Sequence, residues 1–78
     1  MKVSELLDGI NYEGFFTDVD VLNVTDDSRK VVKGSAFVCI KGSNFDGHTK
    51  ASDAILKGAS VIISEELTGV PNEVIVKN

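Results

Sequence analysis

The sequence contains one cysteine, one histidine, one proline and no tryptophan, and these shortages close off whole classes of protein. A lone Cys39 builds no disulfide framework, and with a single histidine it cannot complete a zinc site within the chain. It reads as a small buried hydrophobe in an apolar strand. The longest apolar runs, residues 36–40 and 59–63, fall far short of the about 20 residues that cross a bilayer, so no membrane association is expected. The opening Met1-Lys2-Val3-Ser4-Glu5 turns acidic at once, with no apolar signal core or small-residue cleavage site, which makes the cytoplasm the expected compartment. Also missing are G-x-x-x-x-G-K-[ST], G-x-G-x-x-G and a nucleophile elbow. The chain by itself is therefore not expected to turn over a substrate, and no catalytic residue is assigned.

What is present suits one small folded domain spanning residues 1–78. Of 78 residues, 42% are apolar and 26% charged, an ordinary globular balance. A chain this short buries only roughly 60–65% of its unfolded surface, which limits it to one modest core. The formal net charge of −4 disfavours a nucleic-acid or anionic-membrane partner. Its distribution is uneven: residues 1–27 hold seven acids against Lys2 alone, whereas residues 29–57 hold Arg29, Lys30, Lys33, Lys41, Lys50 and Lys57 against Asp46 and Asp53. A compact anion is better placed on that basic middle than on the acidic beginning, although surface lysines are commonly just solvated.

Periodicity supplies the elements. Val3, Leu6, Leu7 and Ile10 recur at helical spacing, with Ser4 as a cap and Gly9 as a stop. From 19 to 25 the alternation shifts frame between Val21 and Leu22, which predicts a strand with a bulge or bend. Residues 36–40 read as a buried strand between Gly34 and Gly42. Ala51, Ala54, Ile55 and Gly58 fall at i, i+3, i+4 and i+7, predicting a helix over 49–57 capped by Thr49 and stopped by Gly58. With Val61-Ile62-Ile63 this makes a βαβ unit, expected to be parallel and right-handed. A turn at 68–72 and a last strand at Val74-Ile75-Val76 complete an α/β domain with a mixed sheet and two helices.

Two segments hold candidate binding residues. The strand-to-helix loop Gly42-Ser43-Asn44-Phe45-Asp46-Gly47-His48 lies where α/β proteins place ligands. Its glycines let backbone approach a ligand closely, and the following helix offers N–H groups to a diphosphate. The same composition also makes a plain polar turn. Phe45 suits either stacking on a base or anchoring the loop. His48 titrates near neutrality as a general base would, yet no nucleophile or orienting partner stands out, which favours a loop or cap role. The second segment is Asp26-Asp27-Ser28-Arg29, which reads as a turn in which the acids cap backbone groups and Arg29 pairs with one of them. The two aspartates supply too few ligands to specify a metal, and none is assigned.

Read in order, Val24-Thr25-Asp26-Asp27-Ser28-Arg29, Lys33-Gly34-Ser35-Ala36-Phe37-Val38, Ile40-Lys41-Gly42, Asp46-Gly47-His48, Ala54 and Gly58-Ala59 resemble the amino-terminal domain of Mur ligases of the MurE type. Each piece is short and common; the ordered series is specific. The resemblance implies a cytoplasmic three-domain ligase of cell-wall peptidoglycan synthesis. Such an enzyme activates UDP-MurNAc-L-Ala-D-Glu with ATP and magnesium, then joins a diamino acid to it. It implies that this chain holds the uridine diphosphate end through Ser28, Asp26, Gly42, Ser43, Asn44 and Phe45. Asp27 and Arg29 are then structural, this domain carries no cofactor, and the chain's partners are central ATPase and carboxyl-terminal domains outside it. The competing expectation is a non-catalytic regulatory or interaction domain on a similar α/β scaffold.

Overall fold

Successive residues of a strand face opposite sides of its sheet, so a strand covered on both faces needs an unbroken apolar run. That is how residues 36–39 and 61–63 are used. Ala36, Val61 and Ile63 join one core cluster with Val3, Leu7, Val21 and Val74, while Phe37, Cys39 and Ile62 join another with Val31, Ala51 and Ala54. The computed structural model describes residues 1–14, 16–39 and 47–76. Its elements are helix α1 (Val3–Leu6), strands β1 (Tyr12–Glu13), β2 (Asn23–Thr25) and β3 (Ser35–Val38), helix α2 (Ala51–Leu56), and strands β4 (Val61–Ser64) and β5 (Glu73–Val76). One-turn 3-10 helices lie at Ser28–Lys30 and Gly47–Lys50.

Among the described residues five strands form one mixed sheet in the order β1-β5-β4-β3-β2. Strands β2, β3, β4 and β5 are mutually parallel and β1 is antiparallel to β5. The predicted βαβ unit is present, with α2 joining parallel neighbours β3 and β4. Ala51 and Ala54 press α2 onto the sheet, small side chains allowing close approach. Gly58 ends this helix at φ +106°, and a Cβ there would lie 2.8 Å from Lys33 Cα, so only glycine fits.

Several boundaries differ from expectation for local reasons. The first helix stops at Leu6, and Ile10 stays 45% exposed. Ser4 does not cap it: its amide and hydroxyl donate to Asp18, while Lys2 N–H is met by the Glu5 carboxylate at 2.9 Å. The shift at Val21-Leu22 is a bend: Val3 N–H and Val21 N–H bond to Val19 and Met1 carbonyls before it, and β2 starts after it. Thr49 is not the cap of α2, because residues 47–50 wind as a 3-10 turn and Lys50 takes the cap position. Ile40, the expected end of the third strand, lies outside the described residues.

The connection from β4 to β5 is organised by one carboxylate. Glu73 is 8% exposed. It accepts from Ser64 Oγ at 2.9 Å, Thr68 N–H at 3.0 Å, Gly69 N–H at 3.2 Å and the Thr68 hydroxyl. Burial pushes its pKa up, but the donors from Thr68, Ser64 and Gly69 outweigh burial and hold it below the usual glutamate value. Asn72 completes the turn at φ 52°, a conformation asparagine tolerates. Its side chain clamps Thr17 N–H and the Ser60 carbonyl.

Candidate functional site

In α/β sheets ligands gather outside the carboxyl ends of parallel strands, and here that edge is formed first by β2 and β3. Thr25 pairs with Phe37, so Asp26 and Val38, the next residues along two parallel strands, emerge side by side. A recess of about 540 Å³ opens there, lined by Asn23, Val24, Thr25, Asp26, Lys30 and Val38.

The turn leaving β2 follows from its short polar side chains. Asp27 caps the 3-10 turn, its Oδ1 accepting from Arg29 N–H at 2.9 Å. Arg29 returns with Nε at 3.1 Å and Nη2 at 2.9 Å, a two-pronged pair with both carboxylate oxygens. Thr25 Oγ1 accepts from Asp27 N–H at 3.1 Å. The Arg29 hydrogen bonds from side chain and backbone lower the Asp27 pKa to about 2. Both residues are thus paired within the turn.

That leaves other groups for recognition. Of the polar residues lining the recess, Asn23 accepts from Ser35 Oγ at 2.5 Å and Thr25 serves Asp27. Among the described residues the Asp26 carboxylate and the Lys30 ammonium have no hydrogen-bond or ion-pair partner. A carboxylate acceptor and an ammonium donor therefore share one recess, which suits a ligand carrying hydroxyl or N–H groups at one end and an anion at the other. Ser28 begins the adjacent 3-10 turn, half-buried and outside that lining; its carbonyl accepts from Lys57 Nζ at 2.9 Å. Lys30 and Lys57 were not singled out by motif; the charge surplus of the basic middle was their only signal. Gly42, Ser43, Asn44 and Phe45 lie outside the described residues.

The stem just past that loop is described. His48 Nε2 accepts from the Glu65 and Glu66 amides at 3.1 and 3.3 Å, tying the 3-10 turn to the end of β4. This matches the loop-role alternative for His48, whose Nε2 meets backbone donors. Among the described residues no three His, Cys, Asp or Glu side chains converge as a metal site would require.

A model of the Mur ligase family, described as its catalytic domain, matches residues 20–78. The chain belongs to the Mur ligase family. A UDP-N-acetylmuramoyl-L-alanyl-D-glutamate–2,6-diaminopimelate ligase of Clostridioides difficile is 49% identical over 69 residues, covering 85% of this chain and 14% of the relative. The enzyme of the same name from Clostridium perfringens is 40% identical over 76 residues, 95% of this chain and 16% of that protein. This Mur ligase chain therefore spans about one sixth or less of the length of these relatives. Among solved structures, MurF ligase from Thermotoga maritima in complex with ADP superposes with TM-score 0.67 at 33% identity, over 72% of this chain and 13% of that one. MurF from Acinetobacter baumannii reaches TM-score 0.77 over 96% of this chain and 17% of its own, at 22% identity, a likeness of fold. Among the described residues no helix is long and apolar enough to cross a membrane.

Proposed function

We propose that this chain is the domain, residues 1–78, that holds the uridine diphosphate end of UDP-MurNAc-L-Ala-D-Glu in a cytoplasmic Mur ligase adding the diamino acid of the peptidoglycan stem. The observation that carries this reading is the recess at the carboxyl edge of β2 and β3, where uncommitted Asp26 and Lys30 stand beside the turn bearing Ser28. The names of the matched relatives, 2,6-diaminopimelate ligases, support the substrate and the added residue. They lend nothing to a regulatory domain on the same scaffold.

In this reading Asp26 accepts from ribose hydroxyls or the uracil N–H, Lys30 faces the diphosphate, and Ser28 donates or accepts at the nucleotide. Gly42, Ser43, Asn44 and Phe45, which follow β3 in sequence, complete the site. The chain's own residues do no bond-making. They fix one end of a long substrate so that its carboxylate, far away, meets the reacting groups in orientation, converting remote binding energy into positioning. ATP and magnesium, required by the parent reaction as proposed, find no holder here. The sequence lacks a G-x-x-x-x-G-K-[ST] loop, and one of its two adjacent aspartates has both oxygens taken by Arg29. In this reading ATP and magnesium are held by domains outside this chain.

The test is a titration of UDP into isotopically labelled chain, read by amide shifts. Shifts centred on Asp26, Ser28, Lys30 and residues 42–45 are expected, with weak affinity because the ligand offers few contacts. No shifts at millimolar UDP, or shifts confined to another face, would refute the reading. In the full enzyme, Ser28→Ala is expected to raise KM for the UDP substrate more than it lowers kcat.

A further inference from the structure

Ser28 sits on a turn whose own bond to the Ser28 carbonyl is long. The 3-10 helix Ser28–Lys30 is one turn long, and its closing bond, Val31 N–H to the Ser28 carbonyl, is 3.4 Å. The Asp27–Arg29 pair stiffens the turn locally, and Thr25 Oγ1 on β2 accepts from Asp27 N–H at 3.1 Å, but neither bond reaches Ser28 itself. A second bond to the same carbonyl comes from 29 residues away: Lys57 Nζ donates to Ser28 O at 2.9 Å.

Lys57 is well placed to act as an anchor. It follows α2, and its amide bonds to the Asp53 and Ala54 carbonyls. Asp53, one helical turn earlier, holds its ammonium at 3.4 Å. The helix itself is pinned by buried Ala51 and Ala54, and its end by Gly58, whose carbonyl accepts from Gly34 N–H at 2.9 Å. The ammonium is thus oriented from a rigid base at both ends of its reach.

We propose that Lys57 is a positioning residue for the nucleotide site, holding Ser28 at the recess through its backbone carbonyl, with Asp53 aiming the ammonium. This rests on the reading that Ser28 contacts the nucleotide. The ligand need not touch Lys57; the lysine restricts the arrangements from which Ser28 must be recruited on binding.

The test compares UDP affinity of the unmodified chain with Lys57→Met, which keeps the apolar stem and removes the donor, and Lys57→Arg, which restores one. Loss of one such hydrogen bond is expected to weaken UDP about three- to tenfold in Lys57→Met, with most of the affinity recovered in Lys57→Arg. The Ser28 carbonyl ¹³C shift should move in Lys57→Met alone, reporting the lost donor directly. In a Ser28→Ala background, Lys57→Met should add less than about twofold, because two residues acting through one contact are not additive. Melting temperature should change by less than about 5 °C, as for exposed ion pairs. Unchanged UDP affinity in Lys57→Met, additive losses in the double variant, or a melting drop beyond about 10 °C would each overturn the proposal. Absence of UDP shifts at Ser28 in the unmodified chain would instead remove the binding reading on which it stands.

Discussion

Replacing Glu73 by glutamine changes one oxygen to an NH₂ group and leaves size and shape almost untouched, so it isolates the charge and the acceptor capacity of this buried carboxylate. Glu73 Oε2 receives Ser64 Oγ, Thr68 N–H and the Thr68 hydroxyl; Oε1 receives Thr68 N–H at 3.1 Å and Gly69 N–H at 3.2 Å. The best glutamine rotamer keeps its oxygen at the first position and turns its NH₂ toward two backbone donors. Two effects add: charge-assisted bonds become neutral ones, and donors are left facing a donor. Together they cost about 2–3 kcal/mol, which lowers the melting temperature of a domain this size by about 10–20 °C. The pH dependence has a definite sign. The folded pKa is depressed, so the stability contributed by the carboxylate is fully present above its unfolded value, about 4.3, and is lost as pH falls through the lower folded value. Urea melts of both forms at a series of pH values are the assay. The difference between them should be largest near neutrality and shrink below about pH 4. A Glu73→Gln chain within about 0.5 kcal/mol of the parent at pH 7, a difference typical of uneventful surface changes, would refute the account of the β4–β5 turn.

Two further outcomes test the frame around the site. The Asp27 carboxyl should titrate with a midpoint of about 2 by ¹³C NMR, and Arg29→Met should return it toward the ordinary aspartate range; its stabilising contribution is present above the unfolded value, about 3.9, and disappears as pH falls through the folded one. An Asp27 midpoint unaffected by Arg29→Met would break the assignment of this pair to the turn. Gly58→Ala places a methyl 2.8 Å from Lys33 Cα at φ +106°, combining backbone strain with overpacking at a cost of about 2–5 kcal/mol; a melting temperature within about 3 °C of the parent, under 1 kcal/mol, would show that the α2 end relaxes freely.

The βαβ unit was legible because its strands are buried on both faces and its helix carries small residues at a regular interval, both of which write themselves into the sequence as unbroken runs and a 3.6 period. Strand β1 was not, since Tyr12–Glu13 is two residues long and no period can be read from two residues. Ile10 extended the helical pattern without a core to bury it. Glu73 was not singled out in the sequence: its donors at Ser64, Thr68 and Gly69 come from the neighbouring strand and turn, so no local spacing announces them. At the candidate site, Asp27 and Arg29 were readable as partners because they are two residues apart. Lys57 and the Ser28 carbonyl, 29 residues apart, meet only through the packing of α2.

Strand pairing also decides which parts of the chain meet at the edge of the sheet. Strand β2 pairs in parallel with β3 in the register Asn23↔Ser35, Val24↔Ala36, Thr25↔Phe37. That register is set at the start of the pair by Leu22 N–H to the Gly34 carbonyl at 2.9 Å and by Ser35 Oγ to Asn23 Oδ1 at 2.5 Å. A slip of one residue would carry Val24 and its neighbours to the opposite face and break both bonds. Because the strands run the same way, whatever follows Thr25 and whatever follows β3 must leave the sheet at one edge. Asp26 and Val38 are therefore brought side by side by the pairing of the two strands. A module whose proposed task is to hold one end of a substrate at a fixed distance from the chemistry needs that kind of support. Its proposed binding groups Asp26, Ser28 and Lys30 lie just past β2, and their place at the edge of the sheet is set by hydrogen-bonded strands.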